Sequence, residues 1–164
     1  MGAKPSAHLV GRPMARYCAP WDPNAEVRMQ MKQLQIIWGA LLGGVIAYTT
    51  VVYCLMTFGG VHMGVFSPAI MNVVGGVVIL YMFGALMARR TMIARIPRDA
   101  PAEQRFVRYQ IATLVGTAGI EGGGLLMITA SLVAGVPNWT LAGGAAAAAV
   151  LLMVRPTASE IALD

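Results

Sequence analysis

Four long apolar runs, separated by short polar or Gly/Pro-rich breaks, dominate the chain. They extend from Leu34 to Thr57, from Pro68 to Ala88, from Tyr109 to Gly135 and from Trp139 to Val154. A helix needs about 20 apolar residues to cross the hydrocarbon core of a bilayer, and the first three runs meet that length. The fourth is short, and it either tilts little or borrows Val136 and Pro137. The runs are continuous rather than alternating, which excludes a closed membrane barrel. The pattern predicts an all-α polytopic membrane protein, a four-transmembrane-helix bundle. Its divisions are a polar, basic N-terminal tail over 1–29, a transmembrane domain over 30–155 and a short C-terminal tail over 156–164.

The breaks carry turn chemistry. Phe58-Gly59-Gly60 and Ser67-Pro68 bracket the first loop, Arg95 to Pro101 forms the second, and Gly135-Val136-Pro137-Asn138 forms a tight turn. Two helices are expected to start before their spans do. Asp22 offers an N-cap with Pro23 at the first helical position, and Asp99 can cap a helix through Pro101, Ala102 and Glu103. Both lead-ins are basic and amphipathic, so they are expected at headgroup level.

Composition strengthens this picture. Of 164 residues, 57% are hydrophobic and 12% charged, about half the charge of an average soluble domain, and the mean hydropathy is +0.67. The first apolar run follows a long polar lead and is too long for a signal-peptide core, so no secretory signal peptide is expected.

The 12 basic residues fall in three places. Lys4, Arg12, Arg16, Arg28 and Lys32 precede the first run. Arg89, Arg90, Arg95, Arg98, Arg105 and Arg108 surround the second connection, and Arg155 follows the fourth run. The loops Phe58 to Ser67 and Val136 to Asn138 carry no charge. The positive-inside rule then places both termini and the middle loop in the cytoplasm, an N-in/C-in topology. Trp38 at the inner interface, with Trp139 and Phe66 at the outer one, fits an aromatic belt. The basic residues flank apolar spans without a nucleic-acid-binding pattern, so no nucleic-acid partner is expected. Cys18 and Cys54 fall on opposite sides of this topology, so no disulfide between them is expected.

Helices in lipid associate through small residues that let backbones approach. Candidates are Gly39, Gly43 and Gly44 on the first span and Gly75 and Gly76 on the second. The third offers Gly116, Gly119, Gly122, Gly123 and Gly124, and the fourth Gly143, Gly144 and Ala145 to Ala149. Gly39-x-x-x-Gly43 and Gly119-x-x-x-Gly123 can each serve packing within the chain or against another subunit. Gln35-Ile36 and Gln110-Ile111 open the first and third spans alike, as a duplicated helical hairpin would.

Of seven acidic residues, only Glu121 lies inside a span. It follows Arg108 by thirteen residues, about 20 Å along a helix, which is mid-membrane. No basic residue lies in any span to pair with it. The carboxyl is therefore protonated, or it faces a wet cavity or binds a cation. A plainer role is a neutral side chain hydrogen-bonding a neighbouring helix, with Tyr48, Thr49, Asn72 and Thr117 as candidate partners. His62 and Met63, near Met56 and Met71, form a weak candidate site for a soft metal, although 12 methionines make such a cluster unsurprising. No phosphate loop, Cys-x-x-Cys pair or Ser-His-Asp set is present, so neither an enzyme nor a cofactor is expected.

The stretch Gln110 to Gly135, QIATLVGTAGIEGGGLLMITASLVAG, is followed by Asn138-Trp139 and the ending Arg155-Pro156-Thr157. Together with Leu34 to Gly39, LQIIWG, it resembles a widespread group of uncharacterised small bacterial inner-membrane proteins with four spans and a central Glu in the third. The resemblance covers about half the chain and implies a bacterial inner membrane, but no activity. The Glu121 segment is also loosely similar to the ion-carrying helix of rotary-ATPase proteolipid subunits. There the acid falls on an even-numbered helix, whereas Glu121 is on the third.

Three functions follow as expectations. The first is a non-enzymatic subunit or scaffold, embedded in lipid and packing through Gly/Ala faces into a homo-oligomer or larger membrane complex. The second is a proton- or cation-coupled transport element centred on Glu121, and the third an accessory subunit of a membrane oxidoreductase.

Overall fold

The computed structural model describes residues 23–59, 64, 67–135 and 139–161. They form four helices, α1 (Pro23–Phe58), α2 (Pro68–Ala94), α3 (Ala102–Ala134) and α4 (Trp139–Met153), followed by a 3-10 turn at Ala158–Ile161. Helices α1, α2 and α3 are each long and apolar enough to cross a membrane, and α4 is a shorter apolar helix. The protein is therefore an all-helical, multi-pass integral membrane protein.

The sequence explains most of the helix ends. Ser67 caps α2 by accepting from the Ile70 N–H, and Pro68 follows at the first helical position. Gly135 closes α3 in the left-handed conformation, φ 72°, with its N–H bonded to Ser131 and Leu132 carbonyls; only glycine adopts this cap without penalty. Asp99 does not cap α3. The cap position is Pro101, which has no side-chain hydrogen bond to give.

Helix α1 begins at Pro23, the first helical position expected from the sequence, and continues unbroken into its span; Asp22, the expected N-cap, lies outside the described residues. At 36 residues it is about 54 Å long. The early part of α1 packs against the start of α3, where Val27, Met31 and Leu34 bury against Phe106 and Tyr109. Apolar side chains thus pull the two lead-ins together instead of laying them flat on headgroups. Helix α2 runs on past the apolar span that ends at Ala88 to Ala94, just before the break expected at Arg95, so Arg89 and Arg90 are helical.

Helix α3 is the hub. It packs against α1, α2, α4 and the C-terminal turn, whereas α1 and α2 share no substantial interface. Glycines set each antiparallel contact. A Cβ at Gly116, Gly119 or Gly123 would strike Arg89, Ala85 or Met82 of α2. One at Gly124 would strike Ala147 of α4, while Gly143 and Gly144 make room for Met127 and Ile128 of α3. The α3–α4 contact also holds a fully buried hydroxyl pair, Ser131 and Thr140, in hydrogen-bond contact. Because α1 and α2 do not pack together, the first hairpin does not reproduce the packed α3–α4 hairpin, and the Gln-Ile echo corresponds to no repeated packing unit.

Candidate functional site

Glu121 lies on a face of α3 turned towards α1, beside Gly44. Its carboxylate borders an open groove of about 340 Å³ lined by Gly44, Tyr48, Leu125 and Thr129. A Cβ built on Gly44 would sit 3.8 Å from Glu121 Oε1, in ordinary van der Waals contact. Among the described residues, Glu121 makes no hydrogen bond or ion pair.

The four expected partners are occupied elsewhere. Tyr48 lines the same groove, but its hydroxyl is paired with Thr129 Oγ1 at 3.1 Å. Thr49 donates to the Val45 carbonyl at 2.7 Å, and Thr117 to the Thr113 carbonyl at 2.7 Å. Both bonds lie within their own helices. Asn72 accepts from Trp139 Nε1 at 2.9 Å, about ten helical residues, or 15 Å, from the Met82–Gly123 level. The arrangement places one acid in an open groove beside the paired Tyr48 and Thr129 hydroxyls.

The expected small-residue faces divide sharply. Gly75 lies under the Trp139 ring, and Gly116, Gly119, Gly123, Gly143 and Gly144 all mediate contacts within the chain. Gly39, Gly43, Gly76 and Gly122 face open space. The buried seam of α1 is Val27, Met31, Leu34, Val45, Val52 and Met56. At about 100° per residue, Gly39 and Gly43 lie roughly 120–160° round the helix from it. The Gly119/Gly123 pair therefore builds the chain's own α2–α3 contact, and the Gly39/Gly43 pair does not.

His62 and Met63 lie outside the described residues, as do His8, Cys18 and Phe66. No group of three or more metal-binding His, Cys, Asp or Glu side chains occurs among the described residues. Cys54 is a free, exposed thiol.

A second cluster was not foreseen from sequence. Arg89 of α2 is almost fully buried, its stem resting on Gly116. Its Nη2 donates to Glu160 Oε2 at 2.8 Å, and Tyr109 of α3 donates its hydroxyl to the same oxygen at 2.6 Å. Tyr109 in turn accepts from the Thr157 N–H at 3.1 Å. Gln35 donates to the Pro156 carbonyl at 3.2 Å, and Trp38 Nε1 to the Leu151 carbonyl at 2.9 Å. The Arg155 guanidinium lies 5.9 Å from the Trp38 ring centre, within reach of a cation–π interaction. The C-terminal segment is thus fastened across the basic end of α1, α2 and α3. Arg155-Pro156-Thr157 was the available signal, but nothing in it names Arg89 as the partner of Glu160.

Two further cavities occur among the described residues. Helices α2 and α4 touch where Trp139 meets Asn72 and Gly75, then leave an apolar groove of about 460 Å³ floored by Ile120 and Met127. At the basic end, a polar cavity of about 520 Å³ opens beside the C-terminal turn. No family model, curated protein or solved structure matches the chain.

Proposed function

We propose that this chain is a non-enzymatic integral membrane subunit that self-associates, or joins a larger membrane complex, through the outer face of α1. The observation that carries this reading is Gly39-x-x-x-Gly43 standing in open space, while the other GxxxG pair is consumed by the chain's own packing. Exposed glycines cost helix stability, and in lipid their use is close approach of another helix. Ile36 and Ile46, 71% and 49% exposed, flank the pair with apolar surface. In this reading both termini are cytoplasmic and the membrane is the bacterial inner membrane. The basic residues and the resemblance of the third span support those two points.

The test is the mass of the protein purified from native membranes in mild detergent. The expected wild type is an oligomer or a defined complex, and Gly39→Leu/Gly43→Leu releases a folded single chain. Nothing lies within 4 Å of either Cβ position, so a side chain can start at both without striking the chain's own atoms. A wild type that runs alone as a monomer, or a variant with unchanged mass, rejects the reading. Reporter fusions at each terminus test the sidedness.

The partnerless carboxylate supports a second reading, a proton- or cation-coupled element at Glu121. Under it, carbodiimide labels Glu121, and a translocated cation or a lowered pH changes the rate of labelling. Glu121→Gln abolishes both the labelling and the ion-dependent activity. Labelling indifferent to every ion would reject it.

A further inference from the structure

The polar atoms that line the Glu121 groove share one hydrogen-bonding character. Thr129 Oγ1 donates its one proton to the Leu125 carbonyl at 2.8 Å. In its 3.1 Å contact with Tyr48 it can therefore only accept, so the Tyr48 hydroxyl is the donor. Both hydroxyl protons are spent, and each oxygen keeps lone-pair capacity alone. Gly44 and Leu125 add no free donor, since their backbone N–H groups lie inside α1 and α3. With the Glu121 carboxyl ionised, the groove offers acceptors and no donor. It is matched to a cation and mismatched to an anion or a carbonyl compound.

We propose that this groove binds an organic ammonium ion with an apolar body, which rests on the reading of Glu121 as a proton- or cation-coupled acid and names its cation. Hard metal ions take about six oxygens or more, whereas the lining supplies one carboxyl and two hydroxyls. An ammonium needs fewer acceptors, and aromatic rings such as that of Tyr48 attract it further. A volume of about 340 Å³ is many times what one water needs, so a hydrocarbon group fits beside the charged nitrogen. Pairing with the ammonium also removes the cost of an isolated carboxylate in hydrocarbon. Glu121 is mid-span, so the ligand arrives along apolar surface. Ile37, Val51 and Leu55, all exposed, lie on the same face of α1 as Gly44 and Tyr48 and extend that surface. The Gly39/Gly43 face lies roughly 100–180° round α1 from Gly44 and Tyr48, so association through it leaves the groove open.

The full chain, purified in mild detergent, is titrated with hexylammonium, hexanol and hexanoate, three probes with one tail and different heads. The readout is the thermal midpoint, which rises when a ligand binds the folded state. Hexylammonium alone raises it. Glu121→Gln keeps the shape and removes the charge, while Gly44→Leu fills the groove and leaves the acid. Each weakens the response about tenfold or more, the scale of one charge-assisted hydrogen bond. The midpoint of each variant without ligand reports that it is folded. Glu103→Gln removes an exposed carboxylate at the start of α3 and changes the response less than about twofold, as expected of a surface charge. No response to hexylammonium overturns the proposal, as do an equal response to hexanol or hexanoate, or equal effects of Glu121→Gln and Glu103→Gln. Carbodiimide labelling of Glu121 separates this failure from that of the underlying reading. Labelling slowed by sodium or by acid, with no response to hexylammonium, overturns the ammonium site and leaves the coupled acid standing. Labelling indifferent to every ion overturns both.

Discussion

Arg89 and Glu160, separated by 71 residues, are joined by a 2.8 Å hydrogen-bonded ion pair that ties the C-terminal turn to α2. The two ends of this pair are not equivalent. The Arg89 side chain is 5% exposed and that of Glu160 34%. Removing Glu160 strands a buried guanidinium, while removing Arg89 leaves a carboxylate that can turn to water. Glu160→Ala should therefore cost on the order of 1–3 kcal/mol, below the fully buried range because the pair is partly solvated. Arg89→Met, which keeps the stem on Gly116, should cost under about 1 kcal/mol. Thermal unfolding in detergent measures both, and equal losses would show that the asymmetry is wrong.

Gly119 and Gly76 should respond oppositely to alanine. At Gly119 the new Cβ meets Ala85 of α2, whereas at Gly76 it meets nothing. Gly119→Ala should destabilise by about 1–3 kcal/mol through overpacking. Gly76→Ala should gain up to about 1 kcal/mol from helix propensity. A loss of stability in Gly76→Ala would reveal an α2 surface that is covered by something else.

The Ser131–Thr140 pair is fully buried between α3 and α4. Ser131→Ala should cost about 0.6–1.7 kcal/mol, the range measured for hydrogen bonds between membrane helices. Thr140→Val should cost less in the Ser131→Ala background than in the wild type, because the bond between the two hydroxyls is then already broken. Additive losses in this double-mutant cycle would show that the two hydroxyls act separately.

Trp38 bridges α1 and α4, donating to the Leu151 carbonyl in the last turn of α4, where a helix leaves its carbonyls unpaired. Trp38→Phe keeps an aromatic ring but removes the donor and part of the indole's volume, and should cost at least about 1 kcal/mol. Amide exchange should rise first in the last turn of α4 and at Thr157. Exchange that rises uniformly would show that Trp38 contributes packing alone.

Hydropathy and turn chemistry made the helices legible. The Ser67-Pro68 start and the Gly135 stop fall where the residues place them, because caps act locally. Helix lengths were less legible, since α2 carries Arg89 and Arg90 inside the helix, and a charge marks the end of an apolar run rather than the end of a helix. Glu121 was legible as a lone acid, but not its surroundings. Which of Tyr48, Thr49, Asn72 and Thr117 shares its groove depends on helix rotation and register. The Arg89–Glu160 pair was illegible for the same reason, and so was the division of the two GxxxG pairs between an inner contact and an open face.

The central position of α3 bears on how the chain is made. Residues enter the membrane in order, so α1 and α2 arrive before the one helix that joins them, and they share no substantial interface of their own. Tertiary structure therefore waits for the third span, and the fastening of the C-terminal turn waits for Glu160. A fragment ending before Ala102 should insert without acquiring a fixed arrangement, which makes the second half of the chain the template on which the first half is sorted.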